Sequence, residues 1–344
     1  MAFADQVPDG WVSAQIGVGW MASADRVSAR IGIGRMNVGR CRHDGGMTTI
    51  GAVFPPSLPP ERLRSVARAA DDVGLDELWL WEDCFREGGI ASLAAALAWT
   101  EHVRVGIGVL PVPLRNVALT AMEVASLHRM FPTRPIVGIG HGVQSWMAQV
   151  GAKPDSPITL FREYATALRS LLAGERVTVD GRYVKLTDVA LDWPPTYDQL
   201  PPAIYAAATG PRSLRLAGEV ADGTILTGGS TPVDVRRAVD LAAEGRATAG
   251  RSDSHGMTVY LPVAIGPNGA DRLRVDAANY GETDLFGAFG DAADVAESVR
   301  SLIDAGATTV VLQPTLDETD LESFVEFAAG EVHPLVGASP GAAA

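Results

Sequence analysis

The chain has 344 residues, of which 47% are hydrophobic and 20% charged, and its formal net charge is −13. These values are ordinary for a folded enzyme, and no run of about 18 apolar residues could span a bilayer. The acidic balance and the lack of a basic run argue against nucleic-acid binding. Only Cys41 and Cys84 are present, so we expect a reducing, cytoplasmic compartment, without a disulfide framework or a zinc site.

The amino-terminal segment differs from the rest, because VSAQIGVGWM (12–21) recurs as VSARIGIGRM (27–36). Two copies are fewer than the roughly three that a solenoid needs, and the segment has neither helical nor strand periodicity. A targeting or partner-binding arm is one interpretation. We expect instead that residues 1–46 are a disordered extension, or that Met47 is the true start. Residues 47–336 would then form one folded domain, followed by a flexible tail over residues 337–344.

From Thr48 onward, short apolar runs alternate with segments of helical periodicity, such as the one that Gly74 closes. Strands that are buried on both faces read as such runs, which predicts a parallel sheet covered by helices. Eight units close most simply into a (β/α)₈ TIM barrel, and the alternative, an open doubly wound sheet, lacks its glycine fingerprint. The strand-like runs are 49–54, 77–81, 103–110, 135–140, 203–207, 223–227, 257–265 and 309–314.

The longest break in this alternation follows the fourth strand. Residues 157–173 have helical periodicity, residues 177–186 indicate a hairpin turning at Asp180-Gly181, and a proline-rich segment leads to the fifth strand. An insertion at this end of a barrel can be a lid over the active site or a passive excursion, and the sequence leaves both open.

Residues at the carboxyl ends of the strands face the ligand in a barrel of this kind. Small residues dominate these positions, and they allow either the close approach of a flat ring or tight turns and packing. The segments concerned are WEDCF (81–85), GIGVLPVPLRN (106–116), GIGHG (138–142), AAATGPRSLRLAGEVADG (206–223) and LTGG (226–229).

The order of these segments carries a family resemblance. The run 103–142 followed by 208–226 resembles the luciferase-like family, particularly its coenzyme F420-dependent branch, and the similarity extends from Thr49 to about His333. The resemblance implies a (β/α)₈ barrel with an insertion after the fourth strand. It further implies a flavin or deazaflavin at the carboxyl-end rim and a homodimer.

Two segments are implied to hold the cofactor. GIGVL would place Gly108, Val109 and Leu110 at a bulge, with the Gly108-Val109 peptide bond in cis behind the ring. The second segment follows the fifth strand and aligns with the family's loop on the phosphate side of the cofactor. There Gly210 and Pro211 should open a helix whose free N–H groups hold an anion. Arg212 adds charge there or is simply a solvent-facing helix residue. The phosphate-side residues are Ala207, Ala208, Thr209, Gly210 and Pro211.

The end of the second strand departs from the family pattern. Several F420-dependent relatives have an Asp-His pair where this chain has Asp83 and Cys84. Asp83 can still bind the cofactor, but a thiol that titrates near 8.5 does not replace an imidazole, so we expect Cys84 to be a small buried residue. Val143 and Trp146 stand where some relatives have a carboxylate and an amide, so sugar-phosphate chemistry is not implied.

His141, inside GIGHG at a strand end that we expect to face the barrel mouth, is the candidate for the missing proton donor, since a pKa near 6.5 suits that role. The alternative is a structural histidine bonded to a loop carbonyl. Tryptophan side chains could line an apolar pocket at this end of the barrel, although strand alternation favours core packing for Trp79. These tryptophans are Trp79, Trp81, Trp146 and Trp193.

The leading hypothesis is an oxidoreductase that moves hydride between coenzyme F420 and a small organic substrate, with Asp83 and His141 as catalytic residues and no metal. The second is an FMN-dependent monooxygenase supplied with reduced flavin by a partner reductase. A third is a flavin-binding relative without turnover. A barrel lyase or aldolase is disfavoured, because no strand end has a lysine that could form a Schiff base. Both lysines, Lys153 and Lys185, fall in the insertion.

Overall fold

A computed structural model describes residues 48–195, 202–279 and 285–337. Its strands are β1 (Thr49–Phe54), β2 (Glu77–Leu80), β3 (Arg104–Pro111), β4 (Pro135–Gly140), β5 (Val177–Asp180), β6 (Lys185–Val189), β7 (Ile204–Ala207), β8 (Gly223–Leu226), β9 (Gly256–Ile265), β10 (Ala288–Gly290) and β11 (Thr309–Pro314). Its helices are α1 (Leu63–Asp72), α2 (Gly89–Trp99), α3 (Val117–Met130), α4 (Gln144–Gln149), α5 (Pro157–Leu172), α6 (Pro211–Val220), α7 (Pro232–Thr248), α8 (Gly269–Asn279), α9 (Ala292–Asp304), α10 (Leu321–Glu326) and α11 (His333–Gly337). Short 3₁₀ turns cover Pro60–Arg62 and Val112–Leu114, and a π-helix covers Phe327–Val332.

The parallel sheet closes on itself. Its strand order is β9-β11-β1-β2-β3-β4-β7-β8, and pairing of β8 with β9 completes the ring, with β10 added at the edge of β9. The predicted (β/α)₈ TIM barrel is therefore confirmed. Two strands that are four places apart in this ring, such as β9 and β3 or β11 and β4, lie on opposite walls.

Side chains alternate between the barrel interior and the surrounding helices, as they must along a strand. The interior is a small apolar cluster, and the opposite strand faces pack against the helices in the larger core. Trp79 is fully buried in the interior, which confirms the core role expected for it. The interior cluster consists of Val53, Trp79, Ile136, Ile225, Tyr260 and Val311.

Local sequence signals account for several helix boundaries. Gly74 follows α1 with a φ of 74°, a conformation that glycine adopts without strain. Asn116 caps α3 and Thr231 forms a capping box with Asp234 at α7. Gly210 is the N-cap of α6 and Pro211 its first residue, as predicted.

The insertion between β4 and β7 contains α4, α5 and the β5–β6 hairpin. The predicted helix is α5. The hairpin is also present, but Asp180 pairs with Lys185, so the connection is formed by residues 181–184 and does not turn at Asp180-Gly181. Glu163 of α5 holds this connection by accepting hydrogen bonds from the backbone N–H groups of residues 182, 183 and 184.

Two predictions fall largely outside the described residues. These are the disordered extension over residues 1–46 and the flexible tail over residues 337–344, of which the described chain includes only Gly337, at the end of α11. In the ranges that are described, no helix combines the length and the apolar character needed to cross a membrane.

Candidate active site

The floor of the barrel mouth is made by one side chain that crosses the barrel. Tyr260 rises from β9, and its hydroxyl lies against Gly108 on the opposite wall, where any Cβ atom would collide with it. Trp79 and Trp81 pack on the phenol ring, with ring centroids 6.0 and 5.7 Å away. Burial raises the pKa of the Tyr260 hydroxyl, while the Trp81 indole N–H beside it acts in the opposite direction. The phenol therefore stays protonated.

The β3 bulge forms one wall above this floor. The pairing of β3 with β4 shifts between Ile107 and Leu110, and the Gly108-Val109 peptide bond is cis, as the family resemblance implied. A Cβ atom on Gly138 would lie 2.9 Å from Val109 Cγ1, and one on Gly140 would lie 2.5 Å from Val109 Cγ2. These glycines thus make room for Val109 rather than for a ring. Val109 itself presents the apolar surface.

The other predicted cofactor-binding residues at the ends of β3 and β7 lie on two different faces of the sheet, one toward the barrel interior and one toward the helices. Ala207 lies beside Val109, since a Cβ atom on Gly140 would also be 3.6 Å from the Ala207 Cβ atom. Leu110 and Ala208, by contrast, are buried in the outer core that faces the helices. Only their backbone atoms could contact a ligand in the mouth.

Asp83 lies in the segment after β2, where it continues the interior-facing alternation of Trp79 and Trp81. Asp83 is half-buried, and its carboxylate accepts no hydrogen bond within the described ranges. Burial raises the pKa of Asp83, and the charge of Arg86 opposes this rise. Cys84 is also half-buried, and burial with the charges of Glu82 and Asp83 raises the pKa of its thiol. The thiol is therefore poorly suited to act as a nucleophile at neutral pH.

A partly buried ion network fixes this segment. Glu82 accepts a 2.6 Å hydrogen bond from the Gly89 N–H at the start of α2 and a 2.8 Å bond from Arg115. Arg115 also binds Glu123 of α3 at 2.9 Å. The network ties the loop after β2 to the loop after β3, so that Asp83 and Val109 are held on neighbouring strand ends.

His141 lies at the rim, but its predicted orientation toward the barrel mouth is wrong, because the side chain is turned toward the insertion. Gly138 and Gly140 occupy the interior face of β4, so strand alternation directs His141 outward. Its ring packs on Phe161 of α5, with centroids 4.8 Å apart, and its Nδ1 is sealed from solvent without a hydrogen bond. Burial lowers the pKa of His141, with the Pro157 carbonyl opposing, so the imidazole is neutral near pH 7. Its catalytic role stays a prediction.

A cavity of about 310 Å³ lies where Thr209 meets the loop after β8. No side chain caps α6, whose first turn begins beside this cavity at Gly210 and Pro211. Arg237 of α7 also lines it and makes no ion pair among the described residues. A helix amino terminus and an unpaired guanidinium favour an anion, and the acidic residue of the lining, Asp234, has its carboxylate engaged by the N–H and the hydroxyl of Thr231. Arg212 is exposed and does not line the cavity.

A larger cavity of about 470 Å³ separates the loop after β3 from the insertion, and both lysines line it. Lys185 is paired with Asp180 at 2.5 Å, and Tyr183 of the hairpin accepts a 2.7 Å hydrogen bond from the Ser156 N–H. The hairpin thus stands beside the carboxyl-end loops. Whether it moves as a lid stays a prediction.

The tryptophans expected to line a pocket are distributed differently. Trp81 faces the floor beside Tyr260, and Trp146 is half-buried in α4. Trp193 is 72% exposed, with the Arg129 guanidinium 5.2 Å above its ring. The described part of the chain contains no cluster of three or more His, Cys, Asp or Glu side chains placed to hold a metal ion.

Two polar residues at this end of the barrel were not found from the sequence. Arg237 lies in the second turn of α7, where nothing in a helical pattern marks it as a ligand-facing residue. Gln313 is the penultimate residue of β11 and lies on its interior face, two residues after Val311. Its signal was present, because a polar residue closing the apolar run TVVL is unusual for a buried strand.

Comparison with known proteins places this geometry in a family. A family model described as luciferase-like monooxygenase matches residues 41–305. A 5,10-methylenetetrahydromethanopterin reductase from Methanolobus tindarius is 32% identical over 266 residues, which cover 77% of this chain and 74% of that protein. An F420-dependent glucose-6-phosphate dehydrogenase from Beutenbergia cavernae is 34% identical over 189 residues, 53% of this chain and 55% of that protein.

A solved structure shows the same fold. An F420-dependent secondary alcohol dehydrogenase, in complex with an F420-acetone adduct, superposes with a TM-score of 0.74 at 20% identity. The match covers 84% of this chain and 99% of that one.

Proposed function

Since the chain belongs to the luciferase-like monooxygenase family, we propose that it is an oxidoreductase that uses coenzyme F420. The observation that carries this choice is the similarity to reductases and dehydrogenases whose names include F420, at 34% identity for the glucose-6-phosphate dehydrogenase. The proposed reaction moves hydride between the deazaflavin and a small organic substrate. The protein's part is to bind, to orient and to control protons.

The residues of the mouth fit such a cofactor. Val109 and Ala207 offer a flat apolar wall, and Tyr260 closes the barrel beneath it. The start of α6 and Arg237 offer an anion site on the neighbouring loops, which suits the phosphate of F420 or FMN. Gly108, Thr209, Gly210 and Pro211 thereby keep their proposed roles, whereas Leu110 and Ala208 would contribute backbone atoms only.

When bound, the deazaflavin would supply or accept the hydride. Asp83 would form a hydrogen bond to cofactor or substrate, because its carboxylate is half-buried without a partner among the described residues. Its raised pKa lets it carry a proton more readily than an exposed aspartate. His141 would need to turn from Phe161 to reach the mouth, so Asp83 is the better placed of the two proposed catalytic residues.

The test is equilibrium binding of oxidised F420 and of FMN to the purified full chain, followed by fluorescence and absorbance. We expect F420 to bind at least tenfold more tightly than FMN. Tight FMN binding together with no F420 binding would instead favour the second candidate.

That second candidate is an FMN-dependent monooxygenase served by a partner flavin reductase, and the monooxygenases that give the family its name favour it. A flavin-binding relative without turnover is the third. Oxidation of reduced F420 that depends on an added ketone, enone or imine would exclude the third candidate.

We further propose that two copies of the chain pair through α3. Leu119, Met122 and Met130 are 47%, 58% and 60% exposed, and helical spacing places them on one outward face of this helix. An apolar stripe of this kind is typical of an interface between subunits.

A further inference from the structure

Gln313 is a buried amide that the proposed cofactor site does not use. Gln313 is 5% exposed and lies on the interior face of β11, two residues beyond Val311 toward the mouth. Its side chain makes no hydrogen bond with any residue in the described ranges. A buried amide without a partner destabilises a protein, so this position points to a group supplied from outside the chain.

The pairing register of β11 and β9 shows how far along the barrel axis this amide lies. Val311 pairs with Tyr260, and Gln313 pairs with Pro262. Gln313 and Pro262 therefore form the layer directly above the Tyr260 floor. The amide reaches past Pro262 to the end of β8, where a Cβ atom on Gly228 would lie 2.8 Å from Gln313 Oε1.

The strand order gives the direction that it faces. Because β11 and β4 are four places apart in the eight-stranded ring, Gln313 stands on the wall opposite Gly140 and Val109. A flat ring resting on Val109 would turn its free face toward Gln313. The Tyr260 hydroxyl is completely sealed from solvent and has no hydrogen-bond partner. The polar atoms of the Gln313 amide are not completely sealed in this way, so the amide opens onto the mouth.

The charges around the mouth limit what the amide can bind. Asp83 is the charged residue that follows an interior strand face at these described strand ends, and both lysines lie in the insertion. Arg237 lines the same cavity as Gly228, but it is proposed to hold the anionic part of the cofactor there, so it is not free to pair with an anionic substrate beside Gln313. A neutral amide NH₂ is a donor that matches a neutral carbonyl oxygen.

We propose that Gln313 is a specificity-determining residue, whose amide donates a hydrogen bond to the carbonyl oxygen of a neutral substrate. This inference rests on the proposed function, because it takes the cofactor to lie on the opposite wall. It goes beyond that function by naming the substrate class and the residue that selects it.

The experiment compares two probes of nearly equal shape, cyclohexanone and methylenecyclohexane, on the full chain loaded with oxidised F420. The oxidised cofactor has no hydride to give to the ketone, so binding is measured without turnover, by ligand-observed NMR titration. A neutral hydrogen bond contributes about two- to tenfold in affinity, so the ratio of ketone affinity to hydrocarbon affinity should be higher by that factor in the native chain than in a variant without the donor.

Gln313→Leu should lower this ratio about two- to tenfold, because leucine keeps the volume and removes the donor. Gln313→Glu keeps the shape and should also lower the ratio, which covers the case in which the leucine variant folds poorly. Gln149→Leu, on the exposed face of α4, is the matched control and should keep the native ratio.

Two results would overturn the inference: a ratio of ketone to hydrocarbon affinity that is the same in the native chain and in both Gln313 variants, or a tenfold loss of F420 affinity in those variants. The last result would make Gln313 a cofactor contact instead. F420 affinity of the native chain is measured first. Its absence would overturn the proposed function itself, which is a separate outcome.

Discussion

The Tyr260 hydroxyl lies directly against the Cα atom of Gly108, on opposite walls of the barrel. A Gly108→Ala substitution would place a methyl group on the phenol oxygen, so we expect it to lower the free energy of unfolding by about 2 kcal/mol. Tyr260→Phe removes the obstacle and a sealed, unpartnered hydroxyl, and by itself should change stability by less than about 1 kcal/mol.

The double variant checks that these two residues are coupled. Urea denaturation of the four proteins should show that Gly108→Ala is less damaging when residue 260 is phenylalanine. Strictly additive losses would contradict the contact.

We expect Asp83 to lower the stability of the fold at neutral pH while contributing to cofactor binding or turnover. Its raised pKa means that the folded chain holds the carboxyl proton more tightly than the unfolded chain does, so its stability contribution is lost as pH rises through the folded pKa. Asp83→Asn should therefore raise the unfolding temperature at pH 7 while weakening F420 binding or turnover by about tenfold, the worth of one hydrogen bond to a charged group.

Glu87 provides the matched control for this variant. Burial raises its pKa as well, but it is not placed in the cofactor site. Glu87→Gln should shift stability in the same direction and leave F420 affinity unchanged. A destabilised Asp83→Asn protein would disprove the assigned cause.

Arg237 should hold the anionic part of the cofactor. Arg237→Gln removes the unpaired guanidinium from the cavity beside Thr209, and we expect F420 affinity to fall by about tenfold, more at low than at high salt. The adjacent Arg236 is exposed and does not line that cavity, so Arg236→Gln should bind F420 normally. Equal losses in both variants would indicate only a general effect of charge.

His128 should make the fold sensitive to acid. Burial, with the charge of Arg104, lowers the pKa of His128 from 6.5 to about 4. The unfolded chain thus binds this proton first, and stability that is complete above pH 6.5 declines as pH falls toward 4, by roughly 1.4 kcal/mol per pH unit.

His128→Leu should lessen the slope of this decline in urea denaturation measured between pH 7 and pH 5, and part of the remaining slope belongs to His255, because burial also lowers its pKa to about 4. His102 is the control histidine, since its side chain is 80% exposed, and His102→Gln should keep the native slope. An unchanged slope in His128→Leu would assign the acid sensitivity to other groups.

Pairing of two copies can be tested on the α3 stripe. Met122→Glu places a charge at its centre and should halve the molar mass measured by light scattering. Val275→Glu changes an equally exposed apolar residue on α8 and should leave the mass unchanged. A native chain that is already monomeric would refute the proposed interface.

The sequence carried the periodic features of this protein. Eight apolar runs with helices between them predict a parallel sheet that is buried on both faces, and Gly210-Pro211 predicts the start of α6, because the fixed φ of proline suits the first helical position. The predicted orientation of His141 toward the mouth was wrong, because Gly138 and Gly140 take the interior face of the same strand and strand alternation turns His141 outward.

Only the tertiary structure decided which residues meet across the barrel. The glycines of β4 accommodate Val109, and the glycine of the bulge accommodates Tyr260 from the opposite wall, which no local pattern encodes. Arg237 and the start of α6 reach one cavity from different helices, and Gln313 stands in one layer with Pro262 through their register. Such relationships depend on strand order and stagger, and these are set by packing of the whole barrel rather than by any one segment.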